Sequence, residues 1–87
     1  SAADAARRLA TELRQQARVA ERVSDLSDRH RQVLDLMVQG LTSKQIASVL
    51  NINHRTVENY RATVMERIGV GSVAQLVRVM IKLETKR

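Results

Sequence analysis

The sequence predicts an all-α fold, four helices preceded by an N-terminal linker helix, and three observations predict it. The 87 residues include no proline and only three glycines, which favours long helices separated by few turns. The 44% apolar content comes almost wholly from Ala, Val, Leu, Ile and Met, with one Tyr and neither Phe nor Trp, so the core is aliphatic and thin. Apolar residues recur at intervals of three and four along nearly the whole chain, the period of helices with one buried face. This length allows one core, so a single domain is expected, with residues 1–24 as the linker helix and 25–87 as the main unit.

In the first helix Ala2, Ala6, Leu9, Leu13, Gln16, Ala20 and Val23 follow a heptad seam, and Asp4 can pair with Arg8 one turn on. Alanine and glutamine on that seam bury little area, which favours a linker helix lying on the rest of the domain over a dimerising stalk. Ser24-Asp25-Leu26-Ser27-Asp28 interrupts the pattern with capping residues. Ser27 is the expected N-cap of the next helix, with Leu26 at the staple position and Val33, Leu34, Met37 and Leu41 as its apolar face, and Gly40 stops it. A short helix follows over 43–50 with Ile46, Ala47 and Leu50 inward, ending at Asn51. Asn53 caps a helix from His54 to Ile68 whose stripe is Val57, Val64 and Ile68, and Gly69 ends it. Ser72 caps the last helix, which runs to about Glu84. Its apolar residues Val73, Leu76, Val77, Val79, Met80, Ile81 and Leu83 cover roughly 200° of the circumference. One face can pack on the core; the remainder is either wedged against the N-terminal helix or forms a homodimer seam.

Charge narrows the function. The formal net charge of +6 and pI near 11.1 attract polyanions such as nucleic acid or an acidic membrane face. Fifteen cations include twelve arginines, whose planar fork suits phosphates and guanine edges. No apolar run approaches a membrane span and no signal-peptide pattern opens the chain, so a cytoplasmic protein without membrane contact is expected. The absence of cysteine excludes disulfides and thiolate metal sites, and two isolated histidines do not make a zinc site, so no cofactor is expected. An enzyme fits poorly: there is no phosphate-cradling glycine loop and no carboxylate pair in an evident cleft.

The decisive stretch runs from Lys44 to Arg61 and reads as a helix-turn-helix. Ala47 is small where two helices must cross, and Asn51 tolerates the positive φ of a sharp turn. Ile46, Leu50, Ile52 and Val57 form the wedge that fixes the angle. Opposite Val57, the third helix of the main unit presents Arg55, Glu58, Asn59, Ala62, Thr63 and Glu66, with Tyr60 and Arg61 flanking the stripe. Arginine can take guanine O6 and N7, asparagine can pair with adenine, glutamate can accept from cytosine N4, and alanine or threonine can touch a thymine methyl.

Residues 26–83 resemble the LuxR/FixJ (GerE-type) DNA-binding domain, the C-terminal output module of many bacterial two-component response regulators. The resemblance rests on Leu26-Ser27-Asp28-Arg29, Val33-Leu34, Gly40-Leu41-Thr42-Ser43-Lys44-Gln45-Ile46-Ala47, Leu50-Asn51-Ile52, Thr56-Val57-Glu58, Val64-Met65, Ile68-Gly69-Val70 and Ala74. It implies sequence-specific double-stranded DNA binding that controls transcription, by a four-helix LuxR-type domain with its third helix in the major groove. It also implies a homodimer on DNA through the fourth helix, for which Val73, Val77, Val79 and Ile81 are the candidates, and RNA polymerase as a further partner. The family's base-contacting positions fall on Glu58, Asn59 and Ala62, which join Arg55 as base readers here. Its backbone-contacting positions fall on or near Thr42, Lys44, Thr56, Tyr60 and Arg61. The N-terminal helix would then join a receiver domain that carries the phosphorylated aspartate.

The sequence departs from the family pattern at three informative places. Glu58 stands where many members have lysine, which loses a cation at the groove and disfavours guanine there. His30 replaces the usual glutamate at the third position of its helix, so the capping box begun by Ser27 lacks its second half. A lone histidine on an apolar stripe reads as a packed, hydrogen-bonded residue before it reads as a switch or ligand. Tyr60 replaces the commoner histidine, and either its hydroxyl reaches a phosphate or its ring covers the core's edge. Two further readings remain: a promoter reader like region 4 of a sigma factor, against which the capped fourth helix argues, and a helical dimerisation or adaptor module.

Overall fold

The computed structural model describes residues 1–85, so the last two positions expected in the main unit, Lys86 and Arg87, lie outside the described residues. The elements are α1 (Ala2–Ser24), α2 (Asp28–Val38), α3 (Ser43–Leu50), α4 (His54–Ile68) and α5 (Val73–Thr85). No strand occurs among the described residues, as the all-α expectation requires.

Local chemistry sets each boundary. Ser27, Thr42 and Asn53 have extended backbone and cap α2, α3 and α4, their side chains accepting from the amides of His30, Gln45 and Arg55. Ser72 does the same for α5, accepting from the Gln75 amide at 3.1 Å. Three helices end alike, with a residue at positive φ: Gly40 at 93°, Asn51 at 52° and Gly69 at 85°. In each case the next amide turns back five residues, Leu41 to Leu36, Ile52 to Ala47 and Val70 to Met65, which satisfies carbonyls the helix would otherwise leave open.

The core is one aliphatic cluster. Val33, Leu34 and Met37 of α2, Ile46 of α3, Val57, Val64 and Ile68 of α4, and Leu76 and Met80 of α5 are buried, with Val23 and Leu26 closing it from the N-terminal side. Each such side chain contributes about 1.5–3 kcal/mol of burial, so the inward faces hold α2, α3 and α4 in a fixed arrangement.

The N-terminal helix is helical throughout but docks only by its end. Val23 is buried, and Val19 and Ala20 are partly covered, whereas Leu9 and Leu13 are each 51% exposed. Its contacts go to α5 and α4, so it lies on the domain by its C-terminal turns. The rest projects, which gives the molecule its 52 × 22 × 21 Å extents. The expected Asp4–Arg8 pair is not made: Asp4 bonds Arg7 at 2.6 Å instead. Asp4 also exchanges hydrogen bonds with Ser1, which holds its carboxylate toward the start of the helix, within reach of the nearer arginine.

The last helix divides its apolar surface three ways. Leu76 and Met80 face the core. Val79 and Leu83 lie toward α1, lining a groove with Val19 and Gln16. The third flank, with Val73 and Ile81 exposed and Val77 half-buried between them, has no cover among the described residues.

Candidate nucleic-acid interface

The bend before α4 is built from the residues the sequence nominates. Asn51 adopts φ 52° and ψ 50°, and its amide donates back to Ala47 and Ser48. Ile46 and Val57 are fully buried on either side of the bend, while Leu50 and Ile52 pack partly buried beside them. Ala47 is partly buried where α3 meets α4, and its lack of side-chain bulk lets the two backbones approach. The result is a rigid rod, α4, anchored along Val57, Val64 and Ile68.

On the opposite side of that rod Arg55, Glu58, Asn59 and Ala62 are all exposed and fall on one face, as expected of base readers. Glu58 is not wholly free. Its Oε1 lies 3.5 Å from Nε2 of His54 one turn back, an ion pair only when that histidine is protonated. With His54 neutral, Glu58 is a bare acceptor beside an otherwise cationic surface, suited to a donor such as the cytosine amino group. Arg55 and Asn59 supply the other polarity.

The candidate phosphate-contacting residues surround this face. Thr42 and Lys44 are exposed at the start of α3, and Thr56, Tyr60 and Arg61 lie half-buried along the flanks of α4. Thr42 has a second task that the sequence reading passed over. Its Oγ1 accepts from the Gln45 amide at 3.2 Å, and Gln45 Oε1 accepts from the Thr42 amide at 2.8 Å, a complete capping box. The Thr-x-x-Gln spacing at 42–45 is the signal for it.

His30 joins the interface from another element. Its imidazole Nδ1 pairs with the Ser27 hydroxyl, which also accepts the His30 amide at 3.2 Å, so the ring takes the place of the missing capping glutamate without reaching the Ser27 amide. Its ring meets that of Tyr60 edge to face, centroids 4.8 Å apart and planes at 82°. Burial, with the charge of Arg67 added, holds this imidazole below its usual range. His30, Thr56, Asn59, Tyr60 and Thr63 line one shallow depression, so the histidine is a packed, hydrogen-bonded residue at the edge of the reading face. The ring of Tyr60 packs against the edge of the core, an arrangement compatible with a hydroxyl directed outward.

Comparison with known proteins decides the family. Residues 24–80 match the family described as bacterial regulatory proteins, luxR family. The chain belongs to the LuxR family. Over 63 residues this LuxR-family domain is 48% identical to the transcriptional regulatory protein FixJ of Azorhizobium caulinodans, covering 72% of this chain and 30% of that protein. It is 40% identical over 58 residues to the tetrathionate response regulatory protein TtrR of Salmonella typhimurium, covering 67% of this chain and 28% of that protein. Among solved structures, full-length FixJ from B. japonicum superposes with a TM-score of 0.73 at 35% identity, covering 94% of this chain and 42% of that one. The response regulator StyR superposes with a TM-score of 0.75 at 40% identity, covering 90% and 38%. The LuxR-family chain thus spans less than a third of the FixJ and TtrR proteins it matches. Its helix-turn-helix is the DNA-binding element of a family of transcription regulators.

No helix of the described residues is long and apolar enough to cross a membrane. No cluster of three or more His, Cys, Asp or Glu residues able to hold a metal ion occurs among them.

Proposed function

We propose that this domain is the output module of a bacterial response regulator, reading a double-stranded operator with α4 in the major groove. The supporting observation is the left-handed bend at Asn51. It holds a helix with a fully buried underside and places Arg55, Glu58, Asn59 and Ala62 together on the outside. In this reading those four residues contact base edges. Thr42, Lys44, Thr56, Tyr60 and Arg61 contact the sugar-phosphate backbone, the last three from the flanks of the same helix.

The uncovered flank of α5 supports a homodimer on DNA. Val73, Val77 and Ile81 form a stripe that a second copy can cover by two-fold symmetry, whereas Val79 already packs toward α1. The linker helix would connect to a receiver domain carrying the phosphorylated aspartate, and RNA polymerase would be the protein partner at the promoter. The domain acts without catalysis, in the cytoplasm, where its DNA lies.

Titration against a library of duplexes tests the division of labour. Asn59→Ala should relax base preference at one position of each half-site, at a cost of about 1–3 kcal/mol. Lys44→Ala should weaken binding to every sequence alike and flatten its salt dependence. A uniform loss of affinity from Asn59→Ala would falsify the assignment of base readers.

A further inference from the structure

The linker helix touches the recognition helix through one specific polar contact. Arg22, in the last turn of α1, donates from Nη1 to the carbonyl of Ile68 at 3.2 Å. It is the only side-chain hydrogen bond among the described residues that joins positions more than four apart in the sequence. The acceptor is the last residue of α4. The Gly71 amide goes to Oε1 of Gln75 and no amide of the following turn reaches the Ile68 carbonyl, which takes its donor from α1. A guanidinium at that end also faces the negative pole of the helix. The fit is close: a β-carbon added at Gly69 would stand 3.0 Å from Arg22 Nη1, so the turn after α4 lies directly beneath the guanidinium. Next to Arg22 in the chain, Val23 is buried in the core, which anchors the backbone that carries the arginine.

We propose that Arg22 is a positioning residue for base recognition, clasping the carboxyl end of α4 so that the attitude of α1 sets the angle at which Arg55, Glu58, Asn59 and Ala62 are presented. The proposal rests on α4 being the reading helix. The lever is long enough to matter. Asn59 lies about 14 Å along the helix from Ile68, so a tilt of about 5° about the clasped end moves it by about 1 Å. A base-edge hydrogen bond tolerates only about 0.5 Å of spread in its donor–acceptor distance. The N-terminal half of α1 projects from the domain, so a force on it can reach α4 through this contact.

The test uses the 87-residue chain and, as probe, a duplex selected by that chain from a random-sequence pool. Anisotropy titrations compare this duplex with a scrambled one at several salt concentrations. Arg22→Ala should reduce the ratio of selected to scrambled affinity by about fivefold, with scrambled affinity and salt slope unchanged, and Arg22→Lys should recover most of the ratio. In the free protein, Arg22→Ala should shift amide resonances of residues 55–62 as well as those of 66–71. An unchanged ratio, or resonance shifts confined to 66–71, overturns the proposal. A uniform loss with a shallower salt slope also overturns it, making Arg22 a direct phosphate contact, as does an affinity loss that disappears once the folded fraction is accounted for. Asn59→Ala serves as the control: if that variant discriminates as well as the unaltered chain, the failure belongs to the choice of α4 as reader and not to Arg22.

Discussion

Replacing Asn51 by alanine should loosen the bend on which the reading surface depends. Asn51 is the only residue other than glycine with positive φ among the described residues, at 52°, in the left-handed region. A β-carbon there costs about 1–2 kcal/mol for an ordinary L-residue, while asparagine is relieved by its short polar side chain and glycine avoids the clash. The contacts at stake are the two amide bonds to Ala47 and Ser48 and the Ile52–Ala47 bond at 3.0 Å, all backbone, so alanine leaves them formally intact and only conformational strain changes. The expected loss is about 1 kcal/mol, or about 4–8 °C in Tm for a domain of this size. Asn51→Gly should melt at or above the unaltered protein. Gly40→Ala provides a calibration, because its φ is 93° and an added β-carbon meets nothing within 4 Å, leaving backbone strain as the sole cost. Thermal and urea unfolding followed by helical circular dichroism would measure all three. The reasoning fails if Asn51→Ala and Asn51→Gly melt together, since strain at that residue would then not be what holds the turn.

Ile46 is fully buried between α3 and α4, so Ile46→Ala should cost about 2–5 kcal/mol and abolish DNA binding by unfolding the wedge; a folded, DNA-binding variant would show that the wedge lies elsewhere. Ile81 is 54% exposed, so Ile81→Glu should leave Tm within about 2–4 °C yet abolish cooperative binding to a two-half-site duplex in gel-shift titrations, with single half-site affinity preserved. His30 titrates below its ordinary value of 6.5 when folded, so the unfolded chain takes up the proton first. Its stabilising contribution is complete above that pH and is lost as the pH falls below it. Urea midpoints at pH 7.5 and 5.5 should therefore converge in His30→Gln, and an unchanged gap would place the titration on another group.

How much of this was legible in the sequence depends on the range of each interaction. Caps are local, so Ser27, Asn53 and Ser72 could be placed from their position before an apolar stripe, and Asn51 and Gly69 from their position after one. Period set the exposed side of α4 opposite Val57, Val64 and Ile68, and the family resemblance narrowed the candidate base readers on it to Glu58, Asn59 and Ala62 beside Arg55. Thr42 carries a local signal of its own in the Thr-x-x-Gln spacing, which the fold completes as a capping box beside its expected place at a phosphate. Longer-range choices were not available from spacing. Asp4 had two arginines within a turn and took Arg7. Seven apolar residues on α5 could not say which flank meets α1, so Val79 was grouped with Val73, Val77 and Ile81 although it lies on the other side. Arg22 looked like one more cation on a basic helix; its partner is 46 positions away.

His30 and Tyr60 illustrate the same limit from the functional side. Each departs from the family pattern, and in the sequence the two departures look unrelated, one weakening a helix cap and the other altering a flank of the recognition helix. The fold brings the two rings together at 4.8 Å, so they form a single substitution in space. The Ser27 hydroxyl has one proton and two lone pairs, so it can accept the His30 amide and also donate to Nδ1 of a ring whose proton sits on Nε2. A neutral imidazole needs no counter-ion against an aromatic neighbour, whereas a carboxylate in its place would lose hydration against the half-buried body of Tyr60, a cost the charge of Arg67 offsets only in part. Where the glutamate half of the cap is lost, a ring contact is gained that ties Tyr60 on the flank of α4 to His30 at the start of α2.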